Sequence, residues 1–235
     1  MSDDVELEGG ISLVATPIGN LGDLSPRSIE ALTSADLWLV EDTRVSARLA
    51  TKLEVRKPMK LLTDQTEDSQ LFKYIQLAKS GTKIAVITDG GSPGISDPGS
   101  RLCDLSHEAE ISLDAIPGPS AVTMALTLSG FYGQRFAFLG FLGRKPGAIK
   151  SEIEGFASSP LTLVIFENPR RIEMLIENAF SCLGERRYAI CRELTKVHQQ
   201  VWRGTLAELP SEEVCPRLGE FTVVIEGKRS SRQKI

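Results

Sequence analysis

The chain is poor in residues that build metal or disulfide chemistry. Its four cysteines, Cys103, Cys182, Cys191 and Cys215, form no CxxC pair, and its two histidines, His107 and His198, stand at no metal-ligand spacing. No metal site is therefore expected. The cysteines read as reduced, structural thiols, with Cys103 and Cys182 falling in apolar helical patterns. No apolar run is long enough to cross a bilayer, so no membrane partner is expected. The opening MSDDVELEGG is acidic and polar, unlike a signal peptide, and a cytoplasmic location is expected. Neither GxGxxG nor GxxxxGK(S/T) occurs, which weakens dinucleotide-fold and P-loop readings. No internal repeat is visible.

What is present is an ordinary globular composition: 235 residues, 41% hydrophobic and 25% charged. That length suits one large domain or two of about 110 residues each. The net charge of −4 argues against broad nonspecific nucleic-acid binding, but the charge is unevenly spread. Asp3, Asp4, Glu6 and Glu8 crowd the start, while Lys228, Arg229, Arg232 and Lys234 crowd the end. Basic pairs also occur at Arg144/Lys145, Arg170/Arg171 and Arg186/Arg187. Each is a candidate phosphate contact or simply a solvated face.

Apolar runs predict strands at 11–16, 37–41, 59–63, 83–88 and 111–116, with helices at 26–35, 44–53, 67–79 and 98–109 between them. This alternation predicts a parallel α/β sheet. The punctuation Pro117-Gly118-Pro119 marks a boundary. Beyond it, helices are expected at 119–129, 146–157 and 169–183, and strands at 135–140, 161–167, 187–193, 200–204 and 220–226. Several consecutive strands near the end point to a mixed sheet. The reading is two domains, 1–117 and 118–227, and a basic, disordered tail at 228–235.

Two loops carry the chemistry. Ile11 to Ala15 runs into Thr16-Pro17-Ile18-Gly19-Asn20-Leu21-Gly22-Asp23, and Ser25-Pro26 then opens a helix. Ile84 to Thr88 runs into Asp89-Gly90-Gly91-Ser92-Pro93-Gly94, after which Asp97 and Pro98 are expected as N-cap and N1 of a helix. Strands that end in glycine-rich loops present ligand sites at the carboxyl edge of open α/β sheets. Glycine there lets the backbone approach a ligand closely.

The strings LVATPIGNLGDLSPRSIEAL, ADLWLVEDTR, TDGGSPGISDPG, IPGPSA, FENPRR, CRELTK and GEFTVVIEG, in this order, resemble the ribosomal RNA small-subunit methyltransferase I family. That family belongs to the tetrapyrrole-methylase-like, class III S-adenosylmethionine methyltransferases. The resemblance covers about residues 11–227. It implies two α/β domains with S-adenosyl-L-methionine in the cleft between them, and a homodimer. It also implies 2′-O-methylation of a cytidine ribose in the decoding region of 16S rRNA, in the small ribosomal subunit. Carried over motif by motif, the cofactor contacts are Pro17, Gly19, Asn20, Asp89, Gly91, Ser92, Pro93, Ser120, Ala121 and Phe166, the last with plain core packing as its alternative.

Glu41, Asp42 and Arg44 lie just past the second strand and are the candidate catalytic residues. They suit orienting a ribose hydroxyl and accepting its proton; the alternative is a helix start capped by Asp42 or Thr43. Arg192-Glu193-Leu194-Thr195-Lys196 is an RNA or cofactor-edge contact, or a surface ion pair. The chain departs from the family pattern at Leu62-Thr63-Asp64-Gln65-Thr66, at His198-Gln199-Gln200, at Leu218 and at Gly90. Most of these departures are on the substrate side. Two other readings stand beside the first: a small-molecule methyltransferase of the same superfamily, and a non-catalytic cofactor- or RNA-binding paralogue.

Overall fold

The apolar runs become strands and the amphipathic ones helices in the computed structural model, which describes residues 9–229. The chain divides after Ser120 into two units. The first contains β1 (Gly10–Val14), α1 (Pro26–Ser34), β2 (Leu37–Val40), α2 (Thr43–Lys52), β3 (Met59–Leu61), α3 (Asp68–Lys79), β4 (Lys83–Ile87), α4 (Ser100–Glu108) and β5 (Leu113–Ile116). Its five strands pair in parallel in the order β3-β2-β4-β1-β5.

Strand alternation divides the core into two layers. On one face Trp38, Val40, Ala85 and Ile87 pack with Leu32 of α1 and Leu49 and Ala50 of α2. On the other, Leu37, Leu39, Ile84 and Val86 pack with Leu71 and Ile75 of α3 and Leu102 and Leu105 of α4. All four residues of β2 are buried, as a strand covered on both faces requires. The Trp38 side chain is fully buried and its indole N–H is satisfied by the Leu32 carbonyl at 3.0 Å.

This strand order fixes where a ligand site can form. The chain leaves β1 toward β2 on one side and leaves β4 toward β5 on the other, so loops from adjacent strands diverge to opposite faces. That is a topological switch point, the position where open α/β sheets hold ligands. Local chemistry sets the helix starts. Ser25 caps α1, its hydroxyl accepting from Ser28 N at 3.0 Å with Pro26 in the first turn. Asp42 caps α2, its carboxylate accepting from Arg44 N at 2.8 Å.

The expected cap of α4 is corrected. Asp97 is not the N-cap and Pro98 does not open the helix; α4 begins at Ser100 behind Gly99, with no side-chain cap. Gly99 has φ +134, a conformation open to glycine, and it lets the chain turn into the helix one step later. The Asp97 carboxyl is thereby released from capping.

The second unit contains α5 (Ala121–Ser129), β6 (Phe136–Phe141), α6 (Pro146–Ile153), β7 (Thr162–Glu167), α7 (Ile172–Leu183), β8 (Arg187–Arg192), β9 (Gln200–Thr205) and β10 (Phe221–Ile225). Its sheet runs β6-β7-β10-β8-β9. Only β6 and β7 are parallel, and β10 is antiparallel to both neighbours, so the sheet is mixed. Ile149, Ile153, Leu175, Ile176 and Ala179 pack on Leu163, Ile165, Tyr188, Ile190 and Val223. Of the 228–235 tail, Lys228 and Arg229 are described, and Arg229 pairs with Glu226 at 2.6 Å; the remainder lies outside the described residues. Among those residues no helix is long and apolar enough to cross a membrane.

Candidate functional site

At the switch point, the two glycine loops are tied to each other. Thr16 N donates to the Gly91 carbonyl at 2.9 Å, and Gly91 N donates to the Thr16 carbonyl at 3.0 Å. The buried Thr16 hydroxyl adds a bond to the Thr88 carbonyl at 3.1 Å. Gly91 holds φ +96, which L side chains rarely adopt. Gly90 is close to the same loop in another way: a Cβ there would lie 3.2 Å from the Pro17 carbonyl. Pro17 is half-buried, whereas Gly19 and Asn20 are exposed at the loop tip. The Asn20 side chain is engaged locally, accepting from Gly22 N at 2.9 Å and capping a single 3₁₀ turn, Leu21–Asp23. In the second loop Gly91 and Pro93 are buried, Ser92 is half-buried and Asp89 is exposed. At the end of β5, Gly118 packs its backbone onto Ala15, where a Cβ would lie 2.9 Å from the Ala15 Cβ. Ser120 follows, half-buried.

The edge of this sheet is acidic. Glu41 follows β2 and its Oε2 lies 3.4 Å from Asp89 N. Burial pushes the Glu41 carboxyl up, Asp89 N–H partly offsets this, and the neighbouring Asp89, Asp64 and Asp42 push it further. Asp89, although exposed as a residue, is likewise raised, by partial desolvation of its carboxyl and then by Asp42. Asp97 is raised to about 6, first by burial and then by Glu41, with Asp89 and Asp64 adding to it. The Thr88 hydroxyl lies beside it and partly offsets the rise, although that hydroxyl makes no hydrogen bond of ordinary geometry.

Asp42 behaves differently. Its hydrogen bonds to the Arg44 guanidinium and backbone hold it down to about 2. The ion pair is two-pronged, with Arg44 Nη2 at 2.6 Å from Oδ2 and Nε at 3.1 Å from Oδ1. Glu41, Asp42 and Arg44 thus share one edge, but two of the three neutralise each other at a helix start.

Asp97 and Asp64 were missed as members of this edge when read as sequence. Asp97 stood in a convincing cap position, and the signal against it was Gly99, which offers a later start with no side chain at all. Among the described residues no His, Cys, Asp and Glu are grouped to hold a metal ion.

In the second unit Phe166 is half-buried near the end of β7, edge-on to Phe138 at 4.9 Å and tilted against Phe141 at 5.5 Å. Ala121 opens α5 and is half-buried. The RELTK segment is an ion-pair network: Lys196 Nζ meets Glu193 Oε1 and Glu220 Oε2, both at 3.0 Å. Glu193 and Thr195 hold positive φ, at 49° and 67°. The FENPRR pair splits. Arg171 turns inward to the Leu142 and Gly143 carbonyls and to buried Glu167, while Arg170 stays exposed.

The sequence and the fold both have close counterparts. Residues 10–210 match the family of tetrapyrrole (corrin/porphyrin) methylases. The ribosomal RNA small subunit methyltransferase I of Thermotoga maritima is 37% identical over 221 residues, covering 94% of this chain and 99% of that protein. The protein of the same name from Mycobacterium tuberculosis is 41% identical over 222 residues, covering 93% of this chain and 78% of its own. Among solved structures, the methyltransferase CobJ superposes with a TM-score of 0.69 at 18% identity, covering 95% of this chain and 97% of its own. Diphthine synthase superposes with a TM-score of 0.69 at 16% identity, covering 93% and 89%. At such identities the structural likeness shows the fold, a class III methyltransferase fold, while the sequence relatives carry the finer assignment: the chain belongs to the ribosomal RNA small subunit methyltransferase I family, within the tetrapyrrole methylases.

Proposed function

We propose that the chain is an S-adenosylmethionine-dependent methyltransferase that methylates a cytidine ribose 2′-hydroxyl in the decoding region of 16S rRNA, working in the cytoplasm as a homodimer. The observation that carries the reading is the Thr16–Gly91 bridge, which fixes two glycine loops side by side at the switch point in a chain of this family. The residues suit the cofactor. Pro17, Gly19, Asn20, Asp89, Gly91, Ser92, Pro93 and Ser120 offer backbone groups and small or polar side chains for an adenosine and an amino acid, with Ala121 and Phe166 as the further contacts. The surrounding carboxylates of Asp89 and Asp97 complement a ligand that carries both a sulfonium and an ammonium group.

When bound, the cofactor supplies a methyl group on a positively charged sulfur. The protein's part is positioning and proton removal. Asp42 and Arg44 fix the start of α2 and are spent on each other. Glu41 keeps a carboxylate whose affinity for a proton burial has raised, and it would accept the proton that the ribose 2′-hydroxyl gives up. Calorimetry with S-adenosylmethionine, followed by methyl transfer to 30S subunits lacking the modification, tests the reading. Absence of cofactor binding overturns it. Binding with no transfer to 30S, but transfer to a tetrapyrrole, replaces the substrate.

A further inference from the structure

The second unit has a basic cleft that the methyl-transfer reading does not use. It has a volume of about 450 Å³ and is lined by Arg186, Arg187, Lys228 and Arg229 together with Glu185 and Glu226. Its local charge is positive in a chain whose total is −4. The cleft lies at the end of the second sheet where β8 begins and β10 finishes, because Ile225 pairs with Tyr188. Phe166 stands at the other end of that sheet, where Thr222 pairs with it.

The cations are held in place. Glu226 N donates to the Arg187 carbonyl at 3.0 Å, and Lys228 N donates to the Ser159 carbonyl at 2.8 Å. Gly227 lies so close to Pro160 and Leu161 that no Cβ would fit. A single carboxylate, Glu226, serves both Arg187 and Arg229, each at 2.6 Å. Behind them Arg186 is 7% exposed and donates to the carbonyls of Phe156 at 2.9 Å, Ala157 at 2.8 Å and Glu226 at 3.4 Å. Its charge meets no carboxylate in these bonds. Burying a cation on carbonyls alone is costly, and an anion placed outside it recovers part of that cost. Arg187 and Arg229 keep about two-fifths of their side-chain surface exposed, at 40% and 42%, and can reach such an anion.

We propose that this cleft holds a phosphodiester segment of the substrate RNA, away from the reacting nucleotide, with Arg187, Lys228 and Arg229 contacting phosphate oxygens. The inference rests on the RNA-methyltransferase reading and adds where the RNA backbone is gripped. An extended polyanion fits an open, pinned row of cations better than a single small anion does.

The test uses the full chain with the variant Lys228→Gln/Arg229→Gln, whose side chains leave a coil segment, and separately Arg187→Gln. Binding to a fluorescent single-stranded fragment of 16S rRNA is measured from low to high salt. The expected result is an affinity about tenfold weaker at low salt and a log–log salt slope shallower by about 1.4 for two lost contacts. S-adenosylmethionine affinity and melting temperature should be unchanged in the double variant. RNA affinity and slope equal to wild type in both variants overturn the proposal while leaving the methyltransferase reading intact. A wild-type chain that binds no RNA overturns both. Inorganic phosphate binding that the variants abolish, with RNA binding intact, assigns the cleft to a free phosphate and also overturns the proposal.

Discussion

Thr16 and Gly91 exchange both of their backbone hydrogen bonds, at 2.9 and 3.0 Å, and so join two loops that leave neighbouring strands toward opposite faces of the first sheet. The geometry depends on Gly91 holding φ +96.

Gly91→Val should therefore disturb both the bridge and the proposed cofactor site. A side chain at this φ costs about 1–2 kcal/mol, more when β-branched. The melting temperature should fall by several degrees and S-adenosylmethionine affinity by at least about tenfold, the latter because the close backbone approach is lost. Calorimetry on the folded variant reads the second effect; wild-type affinity there would remove these loops from the site.

Glu41 and Asp42 should separate on substitution. Glu41→Gln is expected to slow single-turnover methyl transfer by about 100-fold with unchanged cofactor affinity, as for a lost general base. Asp42→Asn should stay near the wild-type rate, because asparagine caps a helix about as well as aspartate. The wild-type rate should rise with pH as Glu41 loses its proton, above the usual glutamate range. That rise should vanish in Glu41→Gln. Wild-type turnover in Glu41→Gln would move the proton acceptor elsewhere.

Asp97 makes stability pH-dependent. Its carboxyl titrates near 6 in the folded chain and near 3.8 when unfolded, so the folded state holds the proton more tightly between those values. Its contribution is most favourable below pH 3.8 and is lost as pH rises through about 6. Asp97→Asn should thus stabilise the chain at pH 7 by about 1 kcal/mol, allowing for solvent screening, and by little at pH 4. Chemical denaturation at the two pH values reads the difference, and an equal effect at both would contradict the placement of Asp97 among the other acids.

Arg170 and Arg171 should also part company. Arg171 holds the Leu142 and Gly143 carbonyls, at 3.3 and 2.7 Å, and faces buried Glu167. Arg171→Ala should cost about 3 kcal/mol, the scale for stranding a buried charge. Arg170→Ala should leave stability within about 0.5 kcal/mol, as exposed substitutions do. Denaturant midpoints compare them directly, and equal losses would refute the division.

The strands and helices were legible because their periodicity is strong: the LWLV run could be little else than a strand covered on both faces, and Ser25-Pro26 opens a helix where expected. The parallel sheet followed from the alternation of strands and helices, and the mixed sheet from the consecutive strands near the end. What escaped was the direction of individual polar side chains. Asp97 matched a cap pattern that Gly99 made unnecessary, and Arg171 matched a surface pair that the carbonyls of a distant turn drew inward. The positive φ values at Glu193 and Thr195 carry no signal in residue type at all. These depend on tertiary partners, which local pattern does not encode.

Strand β4 is the middle of its sheet, yet it is the fourth strand to be made, and the bridge to Thr16 waits for the loop that follows it. A chain emerging from the ribosome has β1, β2 and β3 in hand with no central strand to lie against. The bridge from Thr16 cannot close until Gly91 has been synthesised. Closure of the Thr16–Gly91 bridge thus comes late in the order of synthesis, set by long-range pairing and not by any local segment.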